Sequence, residues 1–248
     1  LPMILGLGCG AMATLTTRIL DTKRERIIAT LLLALGIPCS AQLGVIIGLL
    51  GGISPQALLL FFVIIAFQLL LVGYLASKII PGEVSDFIIE IPPFRAPLLT
   101  NLLVKTIYRI EWYVKEAVPF FLFGTALLFF LDITGILEVL KIIGKPVILG
   151  WLNLPVETTE SFILGFLRRD YGAAGLYALA GKGILSNTQA FISLVVITLF
   201  VPCVANFLII IKERGIKMAL AMVGFIFPFA FFVGGVLNLI FKGLGVVL

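Results

Sequence analysis

The chain has no histidine, so any metal or acid–base site must be built without imidazole, the side chain that most often serves at neutral pH. Charge is scarce as well. Asp, Glu, Lys and Arg together make 12% of the 248 residues, about half the roughly 25% of soluble proteins. A water-soluble fold is excluded, because 61% of the residues are hydrophobic and mean hydropathy is +1.21, more apolar surface than one sphere of this size could hide. Three cysteines are too few, and the wrong parity, for a disulfide framework. Within the apolar runs, paired carboxylates at helical spacing and a serine–lysine pair in facing runs are both missing, which argues against an intramembrane enzyme. No G-x-x-x-x-G-K-[ST] phosphate loop occurs, and Gly181-Lys182-Gly183 lacks both its spacing and its hydroxyl. The net charge of +5 is spread between apolar runs rather than gathered in a stripe, so nucleic acid is not an expected partner.

What the sequence does have is long apolar runs, each near the 20 or so residues that cross a bilayer. They are Ile27–Leu50, Pro55–Ser77, Ala117–Leu131, Gly135–Leu152, Ser161–Ala180, Ala190–Ile211 and Met218–Phe241, after a short piece at Leu1–Ala13. Glu138, Lys141 and Lys145 interrupt the fourth, which suits an interfacial or re-entrant segment. The expected fold is an all-α polytopic membrane protein with about seven to eight transmembrane or re-entrant helices in contact with membrane lipids. Basic residues cluster at Thr16–Arg26, between Lys78 and Lys115, and at Lys212–Lys217, so these connections should face the cytoplasm. Within the second cluster, Ala96–Tyr113 has the pattern of an amphipathic helix lying in the interface. The expected organisation is a first half over 1–77, a connection over 78–116 and a second half over 117–248. The chain opens at Leu1 in a hydrophobic run without a signal-peptide pattern, which predicts a fragment or a naturally split protein.

Two segments repeat. Ile37-Pro38-Cys39-Ser40-Ala41-Gln42-Leu43 and Val201-Pro202-Cys203-Val204-Ala205-Asn206-Phe207 both read apolar-Pro-Cys-x-Ala-amide-apolar. By the loop charges the first run travels outward and the second inward. That predicts an inverted pair, the arrangement that places transport sites at broken helices near the midplane. Proline removes a backbone N–H and frees a carbonyl one turn earlier. Cysteine offers soft sulfur, and Gln42, Asn206 and Ser40 add oxygens; such a set suits borderline-soft first-row cations such as ferrous iron better than calcium or magnesium. Cys9 lies in glycine-rich Gly6-Leu7-Gly8-Cys9-Gly10, and Asp170 is an intramembrane carboxylate beside Arg168 and Arg169. A buried cysteine can equally be a small hydrophobe, and Asp170 a counter-ion to either arginine.

With those residues in view, the sequence resembles the membrane domain of the ferrous-iron transporter B family (FeoB). The likeness is carried by Gly6-Leu7-Gly8-Cys9 with Arg18 and Glu25-Arg26 beyond, Pro38-Cys39-Ser40-Ala41, Glu90-Ile91-Pro92-Pro93-Phe94-Arg95-Ala96-Pro97, Leu164 through Gly175, and Val201-Pro202-Cys203-Val204-Ala205. The resemblance implies two gate motifs in a ferrous-iron pathway in the prokaryotic plasma (inner) membrane. Cys9 and Cys39 would fall in the first gate and Cys203 in the second; Asp170, as an intramembrane carboxylate, is a further candidate ligand. Ser40, Gln42, Asn206, Pro38 and Pro202 would support them. Iron is then substrate, and no structural cofactor is expected. The chain departs from the family at Gly10-Ala11-Met12, where Asn-Val-Pro is common, and at Gln42, where arginine is common. The family also carries a G-protein domain that these residues lack, so guanine-nucleotide chemistry is expected on another part of the chain or on a separate subunit. A homo-oligomer is compatible with this pattern. The gate motif is also similar to one in nucleoside-transporter-like proteins, and a small-molecule permease is the rival reading.

Overall fold

The computed structural model describes residues 2–82, 98–135, 144, 146, 148–200 and 202–244. Among them all regular secondary structure is helical. Four stretches are long and apolar enough to cross a membrane: Lys23–Ile53, Pro55–Ile79, Asn187–Arg214 and Ile216–Gly243. They match four of the apolar runs.

Two of the four are broken where the repeated Pro-Cys falls. The first consists of α3 (Lys23–Gly36) and α4 (Ser40–Ile53), with the buried Pro38 between them. A proline in a helix removes a hydrogen bond and crowds the preceding turn, and Ile37, ahead of the ring, is extended as such residues prefer. The unbroken α5 (Pro55–Ile79) returns along both pieces and packs on each. It starts crisply, with Pro55 in its first turn and the Ser54 hydroxyl accepting from the Ala57 N–H.

The other apolar pieces differ from simple crossings. Short helices α1 (Pro2–Gly6) and α2 (Gly10–Thr16) fold back on one another, and a Cβ at Gly6 would lie 3.5 Å from that of Ala13. The expected crossing Ser161–Ala180 is also a hairpin, of α7 (Thr158–Leu167) and α8 (Arg169–Gly181). Its arms touch through backbone: a Cβ at Gly172 would stand 2.5 Å from Gly165 Cα and 2.6 Å from Ser161 O. A run of twenty apolar residues satisfies hydropathy either way, and the small residues at 161, 165, 172 and 175 decide for the hairpin. The second broken traverse is α9 (Asn187–Leu199) and α10 (Val204–Arg214), accompanied along its length by α11 (Ile216–Leu244). Gly215, at φ +83°, makes the turn between the last two where a side chain would be strained.

The basic connections lie together. Arg18 pairs with Glu213, Arg214 donates to Thr17 and Thr30, and Arg24 donates to the carbonyls of Ser77 and Gly82. At this end α2, α5 and α10 finish and α3 begins. The hairpin α7–α8 belongs to the opposite end, where Gln189 in the first turn of α9 donates to Asn153 O.

Between them runs α6 (Leu99–Ile133), one helix of 35 residues where the sequence suggested an interfacial helix over Ala96–Tyr113 and a separate crossing over Ala117–Leu131. Nothing between the two breaks a helix, and the pair Glu111–Lys115 supports the junction at i,i+4 spacing. Pro119 lies inside it. Most of the Gly135–Leu152 run, the Glu90–Pro97 segment and Val201 lie outside the described residues.

Candidate functional site

Four helices begin at one place. Cys9, Cys39, Arg168 and Cys203 each immediately precede a helix (α2, α4, α8 and α10), and none uses its side chain to cap it. The two hairpin turns match closely in backbone: Cys9 has φ −154°, ψ 119° and Arg168 φ −143°, ψ 116°. The two Pro-Cys breaks match similarly, with Cys39 at −76°, 163° and Cys203 at −57°, 155°. Because α2 packs on α10 and α8 on α4, the hairpin turns are brought to the breaks roughly midway along the molecule.

The space enclosed there is a cavity of about 280 Å³. All four ligand candidates from the sequence, Cys9, Cys39, Cys203 and Asp170, are among its walls, with Ser40, Asn206, Arg168 and Arg169. The three thiols are free and half-buried. Among the described residues, no aromatic side chain lines it. Among the described residues, no group of three or more Cys, Asp or Glu is close enough to hold a metal ion in this conformation.

The walls are fixed by polar contacts that follow from the breaks. The Ser40 N–H and hydroxyl both donate to Gly8 O, at 3.3 and 3.2 Å, which ties the first hairpin turn to the first break. The Thr14 hydroxyl donates to Asn206 Oδ1 at 2.9 Å, joining that hairpin to α10. Gln42 is fully buried and does not line the cavity. Its Nε2 donates to Thr198 Oγ1 at 3.1 Å, and Thr198 stands one turn ahead of Pro202. Asp170 accepts from Arg168 at both oxygens, at 3.2 and 2.7 Å, and the Arg168 guanidinium covers the Tyr171 ring at 4.1 Å. The carboxylate is thus paired and still partly open to the cavity.

Arg169 is the residue that sequence reasoning undervalued. It is 7% exposed and turns away from Asp170, donating to Ile37 O at 3.1 Å, to Phe200 O at 3.2 Å and to Ala34 O. The available signal was Ala34 itself, four residues before Pro38, whose carbonyl the proline leaves without its helical partner.

The N-terminal ends of α4, α8 and α10 point at this space. A family model described as "Nucleoside recognition", the gate domain, matches residues 1–53 and 114–217, which hold both hairpins and both broken helices. A second, "Ferrous iron transport protein B C terminus", matches residues 57–109 between them. The chain belongs to the gate family, with a ferrous iron transport protein B segment between its two gate blocks. Similar proteins include the "Fe(2+) transporter FeoB" of Staphylococcus aureus (strain COL), 26% identical over 86% of this chain and 36% of that protein. The protein of the same name in Methanocaldococcus jannaschii is 23% identical over 96% of this chain and 40% of its own length. A "Fe(2+) transport protein A/Fe(2+) transporter FeoB fusion protein" of Porphyromonas gingivalis is 29% identical over 53% of this chain and 16% of its own. The chain therefore spans little more than a third of the first two FeoB relatives. No solved structure matches it.

Proposed function

We propose that this chain forms a transmembrane pathway for ferrous iron, with Cys9, Cys39, Cys203 and Asp170 as its transient ligands. The observation that carries the reading is their convergence on one cavity at the junction of two hairpin turns and two Pro-Cys breaks. Sulfur suits a borderline-soft cation such as Fe²⁺, and a carboxylate adds a charged oxygen ligand. Pro38 and Pro202 open the helices at the cysteines. Ser40, Gln42 and Asn206 hold the opened segments through Gly8, Thr198 and Thr14.

In this reading the two Pro-Cys segments form an inverted pair of gate motifs. The end bearing Arg18, Arg24 and Arg214 faces the cytoplasm, and the membrane is the prokaryotic inner membrane. The chain is a transporter rather than an enzyme. Guanine-nucleotide chemistry would come from a G-protein domain or subunit, and the relatives are long enough to hold one. A nucleoside permease, the rival that the gate description suggests, would need ring faces to grip a base. Among the described residues, the cavity walls carry none.

Uptake of Fe²⁺ into vesicles holding the chain with its G-protein partner tests the proposal. Cys39→Ser or Cys203→Ser should lower uptake about tenfold or more, since even second-layer partners of a metal change affinity 10–100-fold. The proteins should still elute as folded species. Wild-type uptake by the double substitution would overturn the cysteine pathway.

A further inference from the structure

We propose that Arg169 is a positioning residue that couples the two cysteine-bearing breaks, so that neither rearranges without the other. The inference concerns the cavity read above as a transport site, but its geometry is independent of the cargo. Arg169 starts from the turn of the α7–α8 hairpin. One terminal nitrogen donates to Ile37 O beside Cys39, and the other bridges Ala34 O and Phe200 O. Two of these carbonyls belong to the first break and one to the second. Ala34 O is the oxygen that Pro38 deprives of its donor, while Ile37 and Phe200 present the last carbonyls before each break.

A planar guanidinium can span two chains in a fixed fork, which a lysine ammonium cannot reproduce. A cation so deeply buried inside a membrane protein is costly unless it is held, and its removal would leave the carbonyls of both breaks unpaired. Its Nε is buried without a partner among the described residues, a donor left over for a second arrangement when the breaks move. A reciprocal brace runs the other way. Gln42, from the first broken helix, reaches Thr198 in the turn ahead of Pro202. Each broken helix is thereby held at its proline turn by a side chain from the other half.

The test uses the native thiols as reporters. The full chain is placed in vesicles in two forms, one retaining Cys39 alone and one Cys203 alone, and the rate of reaction with a water-soluble maleimide is measured. Pro202→Ala restores a backbone donor to the second break only. With Arg169 present, this substitution should change labelling of the distant Cys39 about tenfold, the factor that goes with one charge-assisted hydrogen bond. In Arg169→Met that cross-effect should shrink several-fold, to what the Gln42–Thr198 contact carries, while Cys203 keeps its own response to Pro202→Ala. A cross-effect of the same size in Arg169→Met, or none with Arg169 intact, overturns the coupling. If Arg169→Met does not fold, Arg169→Lys decides: a reduced cross-effect supports the coupling, and an undiminished one overturns it. Iron uptake by the cysteine-complete protein is read in parallel. Its absence would remove the transport reading and leave the labelling result standing.

Discussion

The hairpins α1–α2 and α7–α8 turn at residues of nearly the same backbone conformation, Cys9 and Arg168, yet are built from different material. The first is held from outside. A Cβ at Gly6 would meet side chains of Leu33 and Ile37, and Gly10 faces the Asn206 amide. The second is held by itself, with Gly165 and Gly172 in backbone contact. The first turn presents a thiol and the Gly8 carbonyl. The second presents Arg168, Arg169 and Asp170. A self-packed hairpin can aim charged groups that must stay in register. One clamped by flexible side chains can shift when its neighbours do.

This contrast can be broken most directly at the glycines. Gly172→Ala should destabilise the protein by about 3 kcal/mol or more, at the upper end of overpacking, because the clash is with backbone that cannot yield. Gly6→Ala should cost only about 1 kcal/mol, since Leu33 Cδ2, at 2.7 Å from the new Cβ, can rotate away. Thermal unfolding in detergent measures both, and equal losses would erase the distinction. Next in size, Thr14→Val removes the hydroxyl bonded to buried Asn206, for an expected loss of about 1–2 kcal/mol in the same assay. That loss would show how far the first hairpin depends on α10. The smallest effect is expected for Arg18→Ala. Its pairing with Glu213 joins the same two regions, but the arginine is half exposed, so the change should stay below about 1 kcal/mol and shrink with added salt.

Much of this was legible in the sequence. Four apolar runs correspond to the four long traverses, because length and hydropathy suffice for a helix that goes straight through. The repeated Pro-Cys marked both breaks, because proline acts on the backbone locally. The hairpin at Ser161–Ala180 was not legible as such, since its length and hydropathy equal those of a crossing. Only the approach of Gly165 to Gly172 settles it. Adjacent Arg168 and Arg169 were interchangeable as partners for Asp170. The fold separates them, because successive residues at a helix start point in different directions. One finds the carboxylate and the other the carbonyls freed in another helix. The continuity of α6 likewise needed the structure, as a change of polarity along a helix looks like a boundary in one dimension.

The shortness of the hairpin arms has an electrical consequence. At 1.5 Å per residue, the ten residues of α7 reach only about 15 Å into a hydrocarbon layer about 30 Å thick. If water follows the hairpins in from either face, the membrane voltage falls across the thin partition at their tips rather than across the whole bilayer. An ion passing Cys39 and Cys203 would then feel nearly the full potential within a few ångströms. For a dication that is about 4.6 kcal/mol per 100 mV, twice the value for a single charge.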